Sequence, residues 1–483
     1  MARIQGRVEE TFPPLVVDLD GTLLRSDLLM ETAMAFVRST PLKVFKMLGW
    51  LLKGKAALKE GLALESQIDV SVLPYDPQII EMIQTQKATG RMIVLATASH
   101  VSLAERIAEH LQLFDLVLAS NTNRNLSGNN KRDLLVAHYG EGGFDYVGNS
   151  KDDLPIWKVS RQAYVVNPER GVEGRVTAMT QVEPTLRTNT SGVRDWRKAM
   201  RMHQWLKNAL IFVPLLASHR FTQFDLMRDG VFAFFCFGLC ASSVYILNDL
   251  LDLGDDRHHK SKCNRPFASG RLSIKAGLVF VPTLLLIAFG AALALLPWQF
   301  SAVMATYYGL TLAYSLQLKR QMAVDVIVLA MLYTARIIAG VAAFNLTLTF
   351  WILAFSMFIF LSLAMVKRYA ELRDARVRDV TTLARGRGYY PGDLDMIASL
   401  GASSGYLAVM VLALYIQDTQ TTALYGTPHV IWLACPLLLF WVTRVWMLTH
   451  RGMMNEDPVV FAIRDRTSQM IGAVFLLMFW IAA

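Results

Sequence analysis

The chain has 483 residues, of which 53% are hydrophobic and only 18% are charged, whereas a typical soluble protein is about 25% charged. This composition excludes a disordered or fibrous chain and argues against a wholly soluble enzyme. The net charge of +9 is compatible with binding to nucleic acid or to a membrane surface. The distribution of that charge favours membrane lipids, and we expect no nucleic-acid partner.

Residues 1–179 have an ordinary soluble composition and predict an α/β domain. Helical patterns such as residues 102–110 separate short apolar runs that indicate buried strands, at 15–17, 92–96, 116–119, 146–147 and 163–166. This alternation is typical of a Rossmann-like parallel sheet with helices on both faces. Residues 27–77 interrupt it with helix-like sequence, as an inserted helical cap would. Residues 180–192 are rich in Thr and lack apolar periodicity, so they predict a linker.

Residues 193–483 predict an all-α polytopic membrane domain with nine transmembrane helices. The apolar segments are 207–218, 231–247, 274–296, 300–314, 324–344, 350–366, 397–416, 428–446 and 469–483, and the first and last are short for a span of about 20 residues. With nine crossings, the loops on the side of the N-terminal domain hold 17 Lys and Arg residues, whereas the opposite loops hold 2. Positive charge concentrates in cytoplasmic loops, so we expect an inner-membrane protein with a cytoplasmic N-terminal domain and cytoplasmic active sites.

The most informative stretch is residues 248–270, NDLLDLGDDRHHKSKCNRPFASG, which we call the aspartate-rich segment. Asp249, Asp252 and Asp256 lie within roughly 60° of one helix face. Such carboxylates repel one another unless a cation joins them, and hard oxygen ligands suit Mg²⁺. Asn248 can add a neutral oxygen. The basic residues that follow can hold diphosphate oxygens: Arg257, His259, Lys262 and Arg265. The segment therefore predicts a magnesium site for a diphosphate leaving group.

A second polar group lies in YSLQLKRQMAVD, residues 314–325. Tyr314, Lys319 and Asp325 occupy or border the next predicted cytoplasmic loop, and they could supply a cation and a second acidic site. Arg336 follows Asp325 by 11 residues, on nearly the same helix face and inside an apolar run. Charge within a membrane span is functional by default, so substrate contact and a structural ion pair both remain open for Arg336.

The motifs NDxxDxxxD and YSxxLKxxxxxD, together with nine helices, resemble the UbiA superfamily of intramembrane prenyltransferases. The extension DRxHxxKxxRP, residues 256–266, is most similar to the decaprenyl-phosphate phosphoribosyltransferase branch, although Lys260 stands where that branch is expected to have proline. Three further stretches share this similarity: HQWLKN at 203–208, KRYAEL at 367–372 and EDPVVFAIRDRTS at 456–468. The resemblance covers residues 195–483. It implies Mg²⁺-dependent transfer of 5-phosphoribose from phosphoribosyl diphosphate to a polyprenyl phosphate. In that reaction Lys319 or Arg265 could hold a phosphate, and Asp325 could bind a second metal ion or a ribose hydroxyl.

The N-terminal domain carries the motif VVDLDGT at residues 16–22. An apolar strand that ends in DxDGT puts two carboxylates on the loop at its carboxyl end. Asp18 could be a nucleophile and Asp20 a general acid and base, with Mg²⁺ screening an incoming phosphate. This motif resembles the haloacid dehalogenase superfamily of phosphatases.

That second resemblance assigns three more residues. It implies that Thr97 binds phosphate, that Lys131 neutralises an aspartyl phosphate and that Asp153 is a further metal ligand. The acidic motif departs from the expected GDxxxD, because residues 148–153 read GNSKDD. Asn149 replaces the first acid and still offers an oxygen, and Asp152 could compensate for the lost charge.

Two such domains in one chain predict linked reactions, in which the N-terminal domain removes the 5-phosphate from the product of the membrane domain. One alternative is a prenyltransferase that joins a prenyl diphosphate to an aromatic or lipid acceptor. A second is a transporter with a regulatory head, and a third is that the head is a degenerate binding module, given Asn149. Lipid chain length and homo-oligomer formation are left open by the sequence.

Overall fold

The computed structural model describes residues 12–121, 124–218, 220–377, 388–418, 425–454 and 457–482. Its contacts divide the chain into two compact units. The first comprises Met1–Ala199 with Ile246–Phe280, and the second comprises Met200–Tyr245 with Val281–Ala483. The aspartate-rich segment therefore belongs to the same compact unit as the N-terminal domain.

A five-stranded parallel sheet forms the centre of the first unit, in the order β3-β2-β1-β4-β5. The strands are β1 Leu15–Val17, β2 Ile93–His100, β3 Leu116–Ser120, β4 Asp145–Gly148 and β5 Gln162–Val165. Val16 in the central strand pairs with Val94 of β2 and Tyr146 of β4. The strands of a parallel sheet read as nearly continuous apolar runs, and such runs in the sequence located all five. The predicted α/β domain with a parallel sheet is confirmed.

Helices of the first unit separate the strands and form the predicted insertion after β1. Three helices make up most of this insertion, which we call the cap: Leu28–Ser39, Val44–Leu52 and Lys55–Glu65. Asp27 begins the first of them, since its side chain accepts hydrogen bonds from the backbone of Leu29 and Met30. The other helices and 3₁₀ turns are Pro41–Lys43, Val70–Val72, Pro77–Ala88, Val101–Leu111, Asn129–Tyr139, Lys151–Asp153, Leu154–Trp157, Val172–Thr177, Val193–Ala199, Leu253–His258 and Lys262–Asn264.

Residues 180–192, predicted as a linker, lie along the last strand of the sheet. Val182 bridges to Ala163, and Leu186 bridges to Val166 and packs against the core. Hydrogen bonds to strand backbone hold this stretch even though it has no apolar periodicity. The exact domain boundaries stay a prediction.

The second unit is helical, and two long helices, Phe224–Leu251 and Ile274–Leu295, carry residues of both units. The remaining helices and 3₁₀ turns are Met202–Phe212, Val213–Ala217, Trp298–Leu316, Leu318–Arg320, Val324–Ala343, Phe350–Val377, Pro391–Asp393, Leu394–Gln417, Pro428–Leu433, Ala434–His450, Pro458–Arg464 and Arg466–Ala482. Small residues allow close packing among them, and a Cβ on Gly340 would collide with the carbonyl oxygen of Ile211.

Six helices in the described part of the chain are long and apolar enough to cross a membrane: Phe224–Leu251, Ile274–Leu295, Val324–Ala343, Phe350–Val377, Pro391–Gln417 and His429–His450. Trp298–Leu316 and the shorter apolar helix Arg466–Ala482 coincide with two more predicted segments. The first predicted segment, 207–218, is instead a 3₁₀ helix that passes into the five-residue helix Val213–Ala217. A multi-pass membrane domain is confirmed, and the number of nine crossings stays a prediction.

Candidate active sites

The carboxylates of the DxDGT motif lie at the carboxyl end of β1, as predicted. The backbone nitrogen of Asp18 donates to the carbonyl of Val147 at 3.0 Å, so this residue still follows the sheet. The chain then turns at Gly21, whose φ of +77° favours glycine. A Cβ at Gly21 would collide with the side-chain amide of Asn149, so that amide lies directly over the turn.

A buried hydrogen-bonded chain joins three of the predicted phosphatase residues. Lys131 Nζ donates to Asp18 Oδ1 at 2.7 Å and to the Tyr146 hydroxyl at 3.0 Å, and this hydroxyl donates to Asp153 Oδ1 at 2.7 Å. Burial raises the pKa of Asp18 to about 7, although the charge of Lys131 opposes the shift. Burial also disfavours the ammonium form of Lys131, but Asp18 and Asp153 outweigh that effect and raise its pKa. The predicted nucleophile and lysine are therefore in direct contact.

Asp20 is held by the cap and by β2. Its Oδ1 accepts a hydrogen bond from the backbone nitrogen of Leu28 at 2.7 Å, and its Oδ2 accepts one from the Ser99 hydroxyl at 2.8 Å. Burial raises the pKa of this carboxyl. Thr97 is fully buried, and its hydroxyl accepts a hydrogen bond from the backbone nitrogen of Ser99 at 3.0 Å. Ser99 thus connects the predicted phosphate-binding threonine to the predicted acid and base.

A lysine from the cap was missed by the sequence reading. Lys59 Nζ donates to the carbonyl of Ala98 at 2.6 Å and to Asn125 Oδ1 at 3.3 Å. Burial lowers the pKa of Lys59, and the charge of Asp20 opposes that shift. The cap therefore brings a cation to the strand that carries Thr97, and no motif in the sequence marks it.

The oxygen donors around the turn have the chemistry that Mg²⁺ prefers. Asp18 and Asp20 flank the start of this turn and the amide of Asn149 lies over Gly21, and carboxylate and amide oxygens are ligands that suit a hard cation. Asp153 Oδ2 is already occupied by Ser150, whose backbone and hydroxyl each donate to it at 2.9 Å, while Asp152 is exposed. No group of three or more His, Cys, Asp or Glu side chains arranged to hold a metal occurs in the described residues, so the full ligand set stays a prediction.

In the aspartate-rich segment, two carboxylates converge on one cation. Asp249 Oδ1 and Asp256 Oδ2 lie 3.0 and 2.6 Å from the same guanidinium nitrogen of Arg265, and both aspartates are buried. Burial raises the pKa of Asp256, and Arg265 opposes the shift. Asn248 Oδ1 is also buried and accepts no hydrogen bond from the described residues. Two converging carboxylates and an unsatisfied amide oxygen form a donor set that fits Mg²⁺.

Asp252 has a different partner. It forms an ion pair with Arg38, which is near the end of the cap helix Leu28–Ser39. The same guanidinium contacts Asp255 Oδ2 at 2.5 Å and donates to the carbonyl of Leu251 at 3.2 Å. The structure thus brings Asp249 and Asp256 together and pairs Asp252 with the cap, and a site made of all three stays a prediction.

The basic residues of the segment differ in what they contact. The side chain of Arg257 is buried and donates two hydrogen bonds to Glu31 of the cap, at 2.6 and 2.9 Å, and a third to the carbonyl of Ala268 at 2.8 Å. His259 and Lys262 lie exposed on the following turn, where His259 Nδ1 accepts from the backbone of Lys262 at 3.4 Å. The guanidinium of Arg257 therefore joins the segment to the cap, and its predicted contact with substrate is untested.

Within the second unit, Asp325 and Arg336 have different environments. Asp325 is fully buried, accepts a hydrogen bond from the Tyr389 hydroxyl at 2.7 Å and pairs with Arg368 at 2.5 Å. Arg336 is also buried and donates to three neutral acceptors, the Asn208 amide, the Leu332 carbonyl and the Tyr307 hydroxyl. Tyr314 and Lys319 lie partly buried, at the end of Trp298–Leu316 and on Leu318–Arg320. Among the described residues, neutral oxygens engage the guanidinium of Arg336.

One polar cluster in the second unit was missed, although its sequences had been noted. Asp457 Oδ2 lies 2.6 Å from Lys207 Nζ and 3.5 Å from Lys367 Nζ, and it accepts a hydrogen bond from the Tyr333 hydroxyl at 2.9 Å. Burial disfavours the charged carboxylate, but the two lysines outweigh it and hold the pKa of Asp457 below its usual value. HQWLKN, KRYAEL and EDPVVF therefore meet at this cluster; Glu456, which begins the third stretch, is outside the described residues.

Comparison with known proteins gives matches for both parts of the chain. The UbiA prenyltransferase family model matches residues 210–481, and the haloacid dehalogenase-like hydrolase model matches residues 15–158. Protein y4nM of Sinorhizobium fredii is 36% identical over 97% of this chain and 91% of its own length. Decaprenyl-phosphate phosphoribosyltransferase of Mycobacterium tuberculosis is 29% identical over 58% of this chain and 91% of its own length. A solved UbiA homolog from Archaeoglobus fulgidus, bound to DMAPP and Mg²⁺, aligns with a TM-score of 0.45 at 14% identity, over 60% of this chain and 99% of that one.

Proposed function

Because the chain belongs to the UbiA prenyltransferase family and carries an N-terminal haloacid dehalogenase-like domain, we propose that it catalyses two linked reactions on a lipid. The membrane domain transfers 5-phosphoribose from phosphoribosyl diphosphate to a polyprenyl phosphate. The N-terminal domain then removes the 5-phosphate. The observation that carries the proposal is the convergence of Asp249 and Asp256 on a single cationic nitrogen.

In the first reaction, a phosphate oxygen of the lipid attacks the anomeric carbon of phosphoribosyl diphosphate. A carbon–oxygen bond forms there as the bond to diphosphate breaks. Asn248, Asp249 and Asp256 would hold Mg²⁺, which supplies positive charge that stabilises the departing diphosphate. Arg265 already neutralises both carboxylates, so it is the nearest cation for the diphosphate oxygens. Catalysis at this site is mainly positioning and electrostatic stabilisation.

In the second reaction, Asp18 attacks the phosphorus of the 5-phosphate, and the ribose 5-oxygen leaves with a proton from Asp20. The raised pKa of Asp20 suits a carboxyl group that must carry this proton. Water then attacks the aspartyl phosphate, gives a proton to Asp20 and releases orthophosphate. Lys131, 2.7 Å from Asp18, stabilises the negative charge in both steps. The final product is polyprenyl-phosphoryl ribose.

We further propose that the membrane domain crosses the bacterial inner membrane nine times and that both active sites are cytoplasmic. The asymmetry of Lys and Arg between the two sets of loops supports this orientation. With both sites on one chain, the product of the first is present at a high effective concentration for the second.

The test uses the purified full-length protein, labelled phosphoribosyl diphosphate and a polyprenyl phosphate, with and without Mg²⁺. We expect diphosphate and orthophosphate to be released in equal amounts. Asp249→Asn should reduce diphosphate release by about 100-fold or more. Asp18→Asn should abolish orthophosphate alone, so that the lipid carrying 5-phosphoribose accumulates. The exposed Asp133→Asn is the matched control.

Three outcomes would contradict the proposal. Consumption of a prenyl diphosphate in place of phosphoribosyl diphosphate would favour the aromatic or lipid prenyltransferase alternative. Orthophosphate release that survives Asp18→Asn would exclude the second reaction. No turnover of either diphosphate in detergent would favour a transporter.

A further inference from the structure

The cap exposes an unusual amount of apolar surface around its second helix. We call the helix Val44–Leu52 the exposed helix. Together with the turn before it, this helix has five large apolar side chains whose exposed fractions are about one half or more: Leu42 92%, Phe45 79%, Leu48 57%, Leu51 48% and Leu52 82%. Contiguous apolar patches are uncommon on soluble domains, and they mark contacts with proteins or membranes.

The opposite side of the exposed helix explains how it is held. Met47 and Trp50 pack against the small core of the cap, where the rings of Trp50 and Phe36 lie 5.4 Å apart between centroids. At about 100° per residue, the exposed apolar residues of this helix cover an arc of roughly 120°. One face of the helix therefore packs against the core of the cap. Its second apolar face is not covered by any of the described residues.

The charged residues within the exposed helix and the turns that flank it are all basic. Residues 41–55 contain four lysines and no carboxylate, and all four are exposed: Lys43, Lys46, Lys53 and Lys55. Lys46 lies 3.3 Å from Glu65 of the neighbouring helix. An apolar face bordered by lysines is the pattern of helices that lie in the interface of a bilayer, where lysines are attracted to anionic lipid headgroups.

The position of the cap also favours a lipid surface. Arg38 donates to the carbonyl of Leu251, the last residue of the candidate membrane-spanning helix Phe224–Leu251. Val44 follows Arg38 by six positions, so the exposed helix begins no more than about 22 Å from the Cα atom of Arg38. The ion pairs Glu31–Arg257 and Arg38–Asp252 connect the cap to the aspartate-rich segment, and His258 Nε2 lies 3.0 Å from Asp69 Oδ2.

We propose that the exposed helix is a membrane-interface anchor, which inserts its apolar face into the anionic lipid surface of the membrane that the chain spans. Leu48 and Leu52 lie on the inserted face, and the lysines contact lipid phosphates. The anchor holds the cap of the phosphatase-like domain at the lipid surface. The proposal depends only on the apolar face of the exposed helix and on the membrane domain. It does not depend on which lipid is the substrate of the enzyme.

The test measures contact with lipid directly, using the full chain reconstituted in vesicles. A fluorophore is attached at Leu48→Cys or, as a matched control, at the exposed Glu105→Cys on Val101–Leu111. Both variants carry Cys263→Ser, because the other three cysteines are buried. The quencher is a phospholipid with a spin label near the headgroup end of its acyl chain. We expect quenching at position 48 to be roughly threefold stronger than at position 105, since interfacial helices insert by several ångströms.

A second variant separates insertion from mere proximity. With the fluorophore at Lys53→Cys, the double change Leu48→Ser and Leu52→Ser should reduce quenching to the level at position 105. Replacing anionic by zwitterionic lipid should also weaken it. Equal quenching at positions 48 and 105 would overturn the proposal. So would energy transfer between labels at position 48 on different copies without lipid quenching, because a second copy would then cover the face.

Discussion

Replacing Glu31 by glutamine removes the charged partner of Arg257 and tests the contact between the cap and the aspartate-rich segment. Both side chains are buried, with exposed fractions of 4% and 5%. The carboxylate accepts two hydrogen bonds from Arg257, at 2.6 and 2.9 Å, and one from the Ser26 hydroxyl at 2.5 Å. After the change, the guanidinium keeps its charge in a buried site and loses its only ionic partner among the described residues.

The expected loss is large because the pair is buried. Removing one member of a buried ion pair costs about 3–5 kcal/mol, since the remaining charge stays desolvated. For a domain of about 150–250 residues, a loss of about 3 kcal/mol lowers the melting temperature by roughly 6–12 °C. The pair between Arg187 and Glu173 is the matched control, with exposed fractions of 65% and 41%. Exposed pairs contribute about 0–1 kcal/mol, so Glu173→Gln should leave the melting temperature nearly unchanged.

The assay is thermal unfolding of the full-length protein, followed by intrinsic tryptophan fluorescence. A double variant, Glu31→Gln with Arg257→Met, removes both charges and should recover more than half of the lost stability. Equal, small shifts for Glu31→Gln and Glu173→Gln would refute the reasoning, because they would show that the cap is not held by this pair.

Three more substitutions test the two candidate sites and the missed cluster. Lys131→Met should reduce orthophosphate release by about 100-fold or more and leave diphosphate release intact; equal loss of both would indicate general unfolding. Asn149→Asp adds a carboxylate over the turn at Gly21, so the Mg²⁺ concentration for half-maximal orthophosphate release should fall several-fold, and an unchanged requirement would place Asn149 outside the metal site. Asp457→Asn leaves Lys207 buried without its carboxylate and should destabilise the protein by about 3 kcal/mol, seen as a lower melting temperature; an unchanged one would contradict the importance of that cluster.

Local signals in the sequence predicted the N-terminal domain well. Buried strands of a parallel sheet are continuous apolar runs, and the first strand was predicted at its observed bounds, Leu15–Val17. The DxDGT loop follows it directly, so the positions of Asp18 and Asp20 at the sheet edge also followed. The order of the strands did not follow, because it depends on pairing between residues far apart in the chain.

The contacts of the site residues could be predicted less well than their identity. Helical spacing placed Asp249, Asp252 and Asp256 on one face, but Asp252 pairs with Arg38, which is more than 200 residues away in the sequence. Likewise, the basic run after the aspartates predicted a phosphate contact for Arg257, and a buried glutamate from the cap engages its guanidinium. The sequence identifies a charged residue but not the residue with which it pairs, because that partner can come from a distant part of the chain.

The cap helix Leu28–Ser39 relates the two candidate sites to each other within the first unit. Its first residue, Leu28, donates its backbone N–H to Asp20 of the phosphatase-like site, and Arg38 near its other end pairs with Asp252 of the aspartate-rich segment. Ten residues of α-helix separate these contacts by about 15 Å. One continuous helix therefore contacts both Asp20 and the aspartate-rich segment, and because Glu31 in its first turn pairs with Arg257 of that segment, a displacement of the helix would disturb both regions together.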